Sequence, residues 1–272
     1  MKIGIFYIAT SVYKNYFDNF KNTMHYLFPE DEKELIVLSD GLDEYDNMDI
    51  NGIKIHVEKL IDLPYPLIHL NKFQIVKTYA ERYNIEYVMF VDADTICFEK
   101  SKNVWDNMKL AINDNHLLLT RHPHYLYTPN RNFGDPFITS NKNSTAFMNP
   151  DLVNKNKCYI MTSFFCGKYD VIKKYADLSY KMIGHDLNYR SFAYYVDEAY
   201  MNKIYVKENI LEHKNTILLQ NYVTINPYIF GNFPERDNGD IYKNNFPEFE
   251  DTIILNQKYN ILLKESKKSN NV

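Results

Sequence analysis

Apolar residues in this chain follow two rhythms, short unbroken runs and stripes at helical spacing, which alternate through the first third. Ile3 to Ala9 is a continuous apolar run and predicts a strand covered on both faces. Between Tyr13 and Phe28, the residues Tyr16, Phe17, Phe20, Met24 and Leu27 recur on one helix face, with Thr10 and Ser11 placed to cap it. Glu34 to Asp40 reads as a second strand ending in a polar turn, and Ile53 to Val57 alternates like an edge strand. Pro64 and Pro66 bracket a loop before a predicted helix, Leu67 to Tyr83, with Phe73, Val76, Ala80 and Tyr83 on one side. Tyr87 to Val91 is the next strand. This alternation predicts a parallel, three-layer α/β half of nucleotide-binding type.

The remainder is less regular. Val104 to Ile112 predicts a helix and His116 to Thr120 a strand. Tyr125 to Asn156 is rich in Asn, Pro, Thr and Ser, and is long enough for a structureless stretch to imply a function. Cys158 to Phe165 predicts a strong strand ended by Gly167, followed by a helix from Val171 to Ile183. Tyr194 to Ile204 predicts a helix carrying Asp197 and Glu198, and Ile217 to Tyr222 and Thr252 to Leu255 predict late strands. The end of the chain holds Lys258, Lys264, Lys267 and Lys268 and is expected to be mobile. No repeat and no linker stands out, so a single domain is expected.

The strand from Val88 to Val91 ends abruptly in two acids one residue apart, Asp92 and Asp94. Alternate side chains of an extended chain share a face, so both carboxylates can point the same way if strand geometry persists. Two adjacent acids repel unless a cation lies between them, and a hard divalent ion with phosphate oxygens suits them. The C-terminal end of a strand is also where open α/β sheets place ligands. Taken alone, such a pattern is more often a turn whose carboxylates cap backbone amides.

Composition narrows the classes. The 272 residues are enough to bury a large core, and a net charge of −4 argues against nonspecific nucleic-acid binding. Tyr and Phe, at 24 and 17 residues against one Trp, are expected to carry much of the packing. Cys97, Cys158 and Cys166 lack metal-finger spacing and read as reduced packing residues of a cytosolic protein. No apolar stretch approaches a membrane span, so a cytoplasmic protein is expected, with peripheral membrane association left open.

Several stretches resemble one family in register: Ile8 to Tyr13, Val88 to Asp94, His122-Pro123, Ser144 to Phe147, Tyr159 to Gly167 and Tyr195 to Lys203. Together they resemble glycosyltransferase family 6, which includes the blood-group A and B transferases and α-1,3-galactosyltransferase. The likeness runs from Ile3 to about Tyr228. It implies a GT-A fold, a Rossmann-like mixed α/β sheet flanked by helices, in one catalytic domain. Residues 1–95 would form the nucleotide-binding half, 96–257 the acceptor and catalytic half, and 258–272 a basic tail resembling the family's.

The resemblance also implies roles. Asp92 and Asp94 would bind Mn2+ or Mg2+ and, with Ala93, the donor's diphosphate. Ile8, Ala9, Thr10 and Tyr13 would hold the uridine, and Lys72 stands where the family carries an Arg that supports the metal-motif acids. Met161 and Ser163 occupy the positions that choose the donor sugar, and Asp197 would hold sugar hydroxyls. His122 and Tyr195 would meet the acceptor, Tyr195 replacing a stacking Trp and Val196 a His. Glu198 would be the catalytic carboxylate near the acceptor, facing an oxocarbenium-like transition state.

The expected activity is therefore Mn2+-dependent retaining α-1,3 transfer of galactose from UDP-galactose to an oligosaccharide acceptor containing galactose. UDP-N-acetylgalactosamine is the alternative donor. A haloacid-dehalogenase-like phosphatase fits less well, because Thr95 comes one place too early and nearly ninety residues precede the motif. A sugar- or nucleotide-binding module without catalysis is a third reading, opposed by the retention of all three acids.

Overall fold

The computed structural model describes residues 1–97, 99, 102–114, 116–121, 141–149, 160–193, 196–206, 216–219, 223–225 and 254–256. Among these, an eight-stranded mixed sheet is covered by helices on both faces. Its strands are β1 (Lys2–Ala9), β2 (Glu32–Ser39), β3 (Asp49–Ile50), β4 (Ile53–Lys59), β5 (Tyr87–Asp92), β7 (Leu117–Arg121), β8 (Ile160–Lys168) and β9 (Thr216–Leu219). The order is β3-β4-β2-β1-β5-β8-β7-β9. Strands β4, β2, β1 and β5 are parallel, as the alternation predicted, while β3 and β8 run against their neighbours. The strand expected at the edge, β4, is covered there by the two-residue β3.

Alternation sorts the side chains. Ile3, Ile5 and Tyr7 of β1 with Met89 and Val91 of β5 face one side, against Phe17 and Phe20 of α1 (Phe17–Thr23) and Trp105, Met108 and Ile112 of α3 (Lys102–Asn113). Phe6, Val88 and Phe90 face the other side, against α2 (Leu67–Arg82), α4 (Tyr169–Tyr189) and α5 (Val196–Val206). Stacked Phe73, Phe165 and Phe90 form the spine of this second core, with centroids 4.5 and 5.0 Å apart.

Two expectations change. The helix expected between Tyr13 and Phe28 is broken into a 3-10 turn (Ser11–Tyr16), α1, and a second 3-10 turn (Met24–Tyr26). Thr10 makes no capping hydrogen bond; the Asp40 carboxylate instead accepts the Ser11 N–H at 3.1 Å, with Ser11 at φ 54°. Gly167 does not end its strand, because β8 continues to Lys168, which pairs with Tyr87 at the start of β5.

A three-stranded sheet, β10-β11-β6, stands beside the first, with β6 (Thr95–Cys97), β10 (Val223–Ile225) and β11 (Ile254–Asn256). It joins the larger sheet through β5, since β6 follows Asp94 directly. Cys97 and Cys166 are free, buried thiols whose burial pushes both well above the ordinary range, as packing residues require. Cys158, most of the polar stretch expected to be functional (residues 125–140 and 150–156) and the basic tail lie outside the described residues. Among the described residues no helix is long and apolar enough to cross a membrane.

Candidate functional site

The candidate site forms where β5 stops. Asp92 is its last residue, and Ala93 and Asp94 turn the chain into β6, so extended geometry does not carry through both acids. The turn is held from the sheet: the Tyr7 hydroxyl donates to the Ala93 carbonyl at 2.6 Å, and the Tyr7 ring stacks on Phe20 at 4.6 Å. Burial, with Asp94's charge adding to it, pushes the Tyr7 phenol well up and keeps it a neutral donor. Asp94 is buried, whereas Asp92 keeps 32 % of its side-chain surface open.

Lys72 organises what surrounds Asp92. Its helix, α2, buries Phe73, Val76 and Ala80 against the sheet, which brings Lys72 inward as well. The ammonium contacts Asp197 Oδ2 at 3.0 Å, Asp92 Oδ1 at 3.3 Å and the Thr162 carbonyl at 3.2 Å. An ammonium has three protons, and these three acceptors account for them. It also lies 5.0 Å from the Phe90 ring centroid. Burial alone would lower the Lys72 pKa, but the Asp197 and Asp92 charges outweigh it and hold the ammonium above its ordinary value. Burial likewise disfavours the Asp197 carboxylate; Lys72, then His69 and a hydrogen bond from Thr162, hold it below the ordinary range.

Helix α5 is fastened to β8 at two points. Thr162 Oγ1 donates to Asp197 Oδ2 at 2.6 Å. Asn202 accepts the Ile160 N–H and donates to the Ile160 carbonyl, each at 2.8 Å, like one rung of a ladder. The same Asn202 amide donates to the Glu198 carbonyl at 2.8 Å. The first turn of α5 is thereby fixed, with buried Asp197 turned to Lys72 and Glu198 partly open beside it.

A β-bulge places Thr162. Leu119 pairs with Phe165 but Thr120 pairs with Met161, so Thr162, Ser163 and Phe164 stand unopposed by β7. Phe164 and Met161 consequently both join the α1–α3 core although three positions apart. Of the two sugar-selecting candidates, Met161 is buried in that core and Ser163 is partly exposed within the bulge. His122 and Tyr195 lie outside the described residues.

The uridine candidates lie at the same C-terminal end of the parallel strands. Ile8 pairs with Asp92 across β1 and β5, followed by buried Ala9 and Thr10. The Ser39 hydroxyl donates to the Ala9 carbonyl at 2.6 Å. Asp40, paired with Lys14 at 3.1 Å, fixes the turn ahead of Tyr13. Asp40 was legible only as the polar end of β2, and Asn202 carried no signal in the sequence.

Asp186, near the end of α4, is fully buried. It accepts from the Ser144 hydroxyl at 2.5 Å, the Thr145 N–H at 2.9 Å and the Tyr200 hydroxyl at 2.7 Å. Burial would raise its pKa, but these donors hold it below the ordinary range. Asp186 thus joins the 141–149 segment to α4 and α5. Nothing in the sequence marked it, because Ser144, Thr145 and Tyr200 are remote from it in the chain.

Among the described residues no group of three or more His, Cys, Asp or Glu side chains gathers as a metal site. Two oxygen-donor carboxylates nevertheless suit a hard divalent ion that takes its other ligands from water and substrate phosphate. Asp92 has surface to offer, since Lys72 engages only Oδ1. Asp92 and Asp197 share the Lys72 ammonium, and Asp94 places the second carboxylate of the motif at the turn. No protein-family model matches this chain, and no curated protein matches its sequence.

Proposed function

We propose that this protein is a nucleotide-sugar-dependent retaining glycosyltransferase of GT-A type, transferring galactose from UDP-galactose to a galactose-containing glycan. UDP-N-acetylgalactosamine is the alternative donor. The observation that carries the reading is the Lys72 bridge, which brings Asp92 at the end of β5 together with Asp197 at the start of α5. The sequence resemblance assigns one acid to the diphosphate and the other to the sugar, as the two ends of a donor require. The parallel β4-β2-β1-β5 run followed by antiparallel β8 is compatible with a GT-A sheet.

In this reading Asp92 and Asp94 would hold Mn2+, which supplies Lewis-acid neutralisation of the departing diphosphate. Ile8, Ala9, Thr10 and Tyr13 would receive the uridine at the adjoining end of β1. Asp197, kept ionised by Lys72, would accept hydrogen bonds from sugar hydroxyls. Glu198, held by the fixed first turn of α5, would face the anomeric carbon and stabilise its developing positive charge. Ser163, rather than buried Met161, offers the bulge's open side to a sugar.

The test is a screen of UDP-galactose, UDP-N-acetylgalactosamine and UDP-glucose with Mn2+ and galactose-terminated acceptors, read by mass spectrometry. Transfer from UDP-galactose, with the product's anomeric configuration retained, is the expected result. UDP binding without hydrolysis or transfer from any donor would leave a binding module instead.

A further inference from the structure

Thr162 sits in the bulged part of β8, where strand alternation gives two conflicting answers for its side chain. Ile160 belongs to the core shared with α2, α4 and α5, and Met161 to the core shared with α1 and α3. Alternation carried forward from this pair puts Thr162 on the Ile160 side. Counted back from Phe165, on the Ile160 side, and Phe164, on the other, it puts Thr162 on the Met161 side. The bulge absorbs the conflict. Thr162 keeps the phase of Ile160, since its hydroxyl meets Asp197 at the start of α5.

That hydroxyl is buried, so its proton has to be used within the protein. The Lys72 ammonium lies 3.5 Å from Thr162 Oγ1, and Asp197 Oδ2 lies 2.6 Å from it. A positive neighbour attracts the oxygen's lone pairs and repels its proton, which therefore goes to the carboxylate. Thr is β-branched and stiff at χ1, so the oxygen does not readily swing away. Lys72 also reaches Asp197 through Oδ2, at 3.0 Å. Two donors on one oxygen fill its two lone-pair positions and fix the plane of the carboxylate. Neither donor takes Oδ1.

We propose that Thr162 is a positioning residue for sugar transfer: by committing Oδ2 of Asp197, it reserves Oδ1 for a hydroxyl of the donor sugar. The proposal rests on the glycosyltransferase reading, which gives Asp197 to the sugar. Thr162 itself touches no reacting atom and acts through Asp197. Its hydroxyl is the active part, because Val has nearly the same shape and offers no donor. With Val in its place, a carboxylate held by Lys72 alone can turn about χ2. Less of the bound donor then sits in the reactive pose.

The experiment compares wild type, Thr162→Val and Thr162→Ser in UDP-galactose turnover with Mn2+, with melting temperature and calorimetric UDP binding measured alongside. Thr162→Val should lower kcat about 10- to 100-fold. Its UDP affinity should stay within about twofold of wild type. Thr162→Ser keeps the donor on a freer rotamer and should come within about fivefold of the wild-type rate. In an Asp197→Asn background, Thr162→Val should change kcat by less than about twofold, because the acceptor it acts on is gone. A Val variant at full rate, equal losses for Val and Ser, or losses that add in the double variant would each overturn the proposal. If Thr162→Val does not fold, Thr162→Ala carries the same comparisons. Crystal structures of wild type and Thr162→Val give a readout that needs no turnover. The Asp197 carboxylate should be rotated in the variant, and an unmoved carboxylate overturns the proposal. A rotated carboxylate in a protein whose wild type transfers no sugar would instead remove the enzymatic reading, leaving Thr162 as the group that orients Asp197.

Discussion

The Lys72 ammonium lies 3.0 Å from Asp197 and 3.3 Å from Asp92, so one buried cation ties a strand end to the start of a distant helix. Lys72→Met leaves two carboxylates facing each other without compensation and should cost about 3–5 kcal/mol of stability in urea unfolding. Lys72→Arg keeps the charge and should lose much less. The pH dependence has two edges. Asp197's carboxyl is depressed, so its contribution is present above about 3.9 and is lost as pH falls through the folded value. Lys72 is raised, so its contribution is present below about 10.4 and is lost as pH rises through the folded value. The gap between wild type and Lys72→Met should therefore be widest between these limits. A gap that ignores pH would remove the ion pairs from the account.

Asp94→Asn should abolish stimulation of UDP-galactose hydrolysis by Mn2+, since a neutral amide oxygen lacks the charge with which a carboxylate holds a hard cation. Titrating Mn2+ against initial rate decides it. Wild-type activity that persists undiminished in excess chelator would mean that the two aspartates serve the turn rather than an ion.

Glu198→Gln should lower kcat about 10³-fold while leaving UDP affinity near the wild-type value, because a charge needed mainly in the transition state is lost. Calorimetry with UDP and steady-state rates separate the two quantities. A variant with full kcat would exclude Glu198 from the chemistry.

Asp186→Asn replaces an acceptor on which three donors converge with a group that carries an amide, and should cost about 2–3 kcal/mol. The Asp186 carboxyl is depressed, so the penalty should be complete above about 3.9 and shrink as pH falls through the folded value. Thermal melts of both proteins along a pH series give the comparison. Equal melting temperatures at neutral pH would show that Asn satisfies the same donors.

Tyr7→Phe removes the buried hydroxyl that donates to the Ala93 carbonyl at 2.6 Å, while keeping the ring stacked on Phe20. The loss should be about 1–2 kcal/mol in stability. Mn2+ affinity, measured in the presence of UDP, should weaken as well, because the backbone between Asp92 and Asp94 loses its support. Unchanged affinity would show that the turn holds its shape without Tyr7.

Local pattern was enough for most elements. The apolar run at Val88 to Val91, the helical stripe from Leu67 and the apolar strand ending near Lys168 stand close to where they were expected, because burial on one or both faces imposes a period on the sequence. Breaks were harder to see. The helix expected after Tyr13 is flanked by 3-10 turns on both sides, and Asp40, just past β2, accepts the Ser11 N–H ahead of it. The direction of β8 and the bulge at Thr162 follow from pairing with β5 and β7, which no local period reports.

The alternation of strands and helices, the acids at the end of β5 and the acids at the start of α5 are all written in short stretches of neighbouring residues. Packing in three dimensions set the rest: Lys72 stands between Asp92 and Asp197, Thr162 donates to Asp197, and Asp186 gathers Ser144, Thr145 and Tyr200. The reason is physical: hydrophobic periodicity is written along the chain, whereas a buried charge is compensated by whichever polar group the packed core brings within about 3 Å.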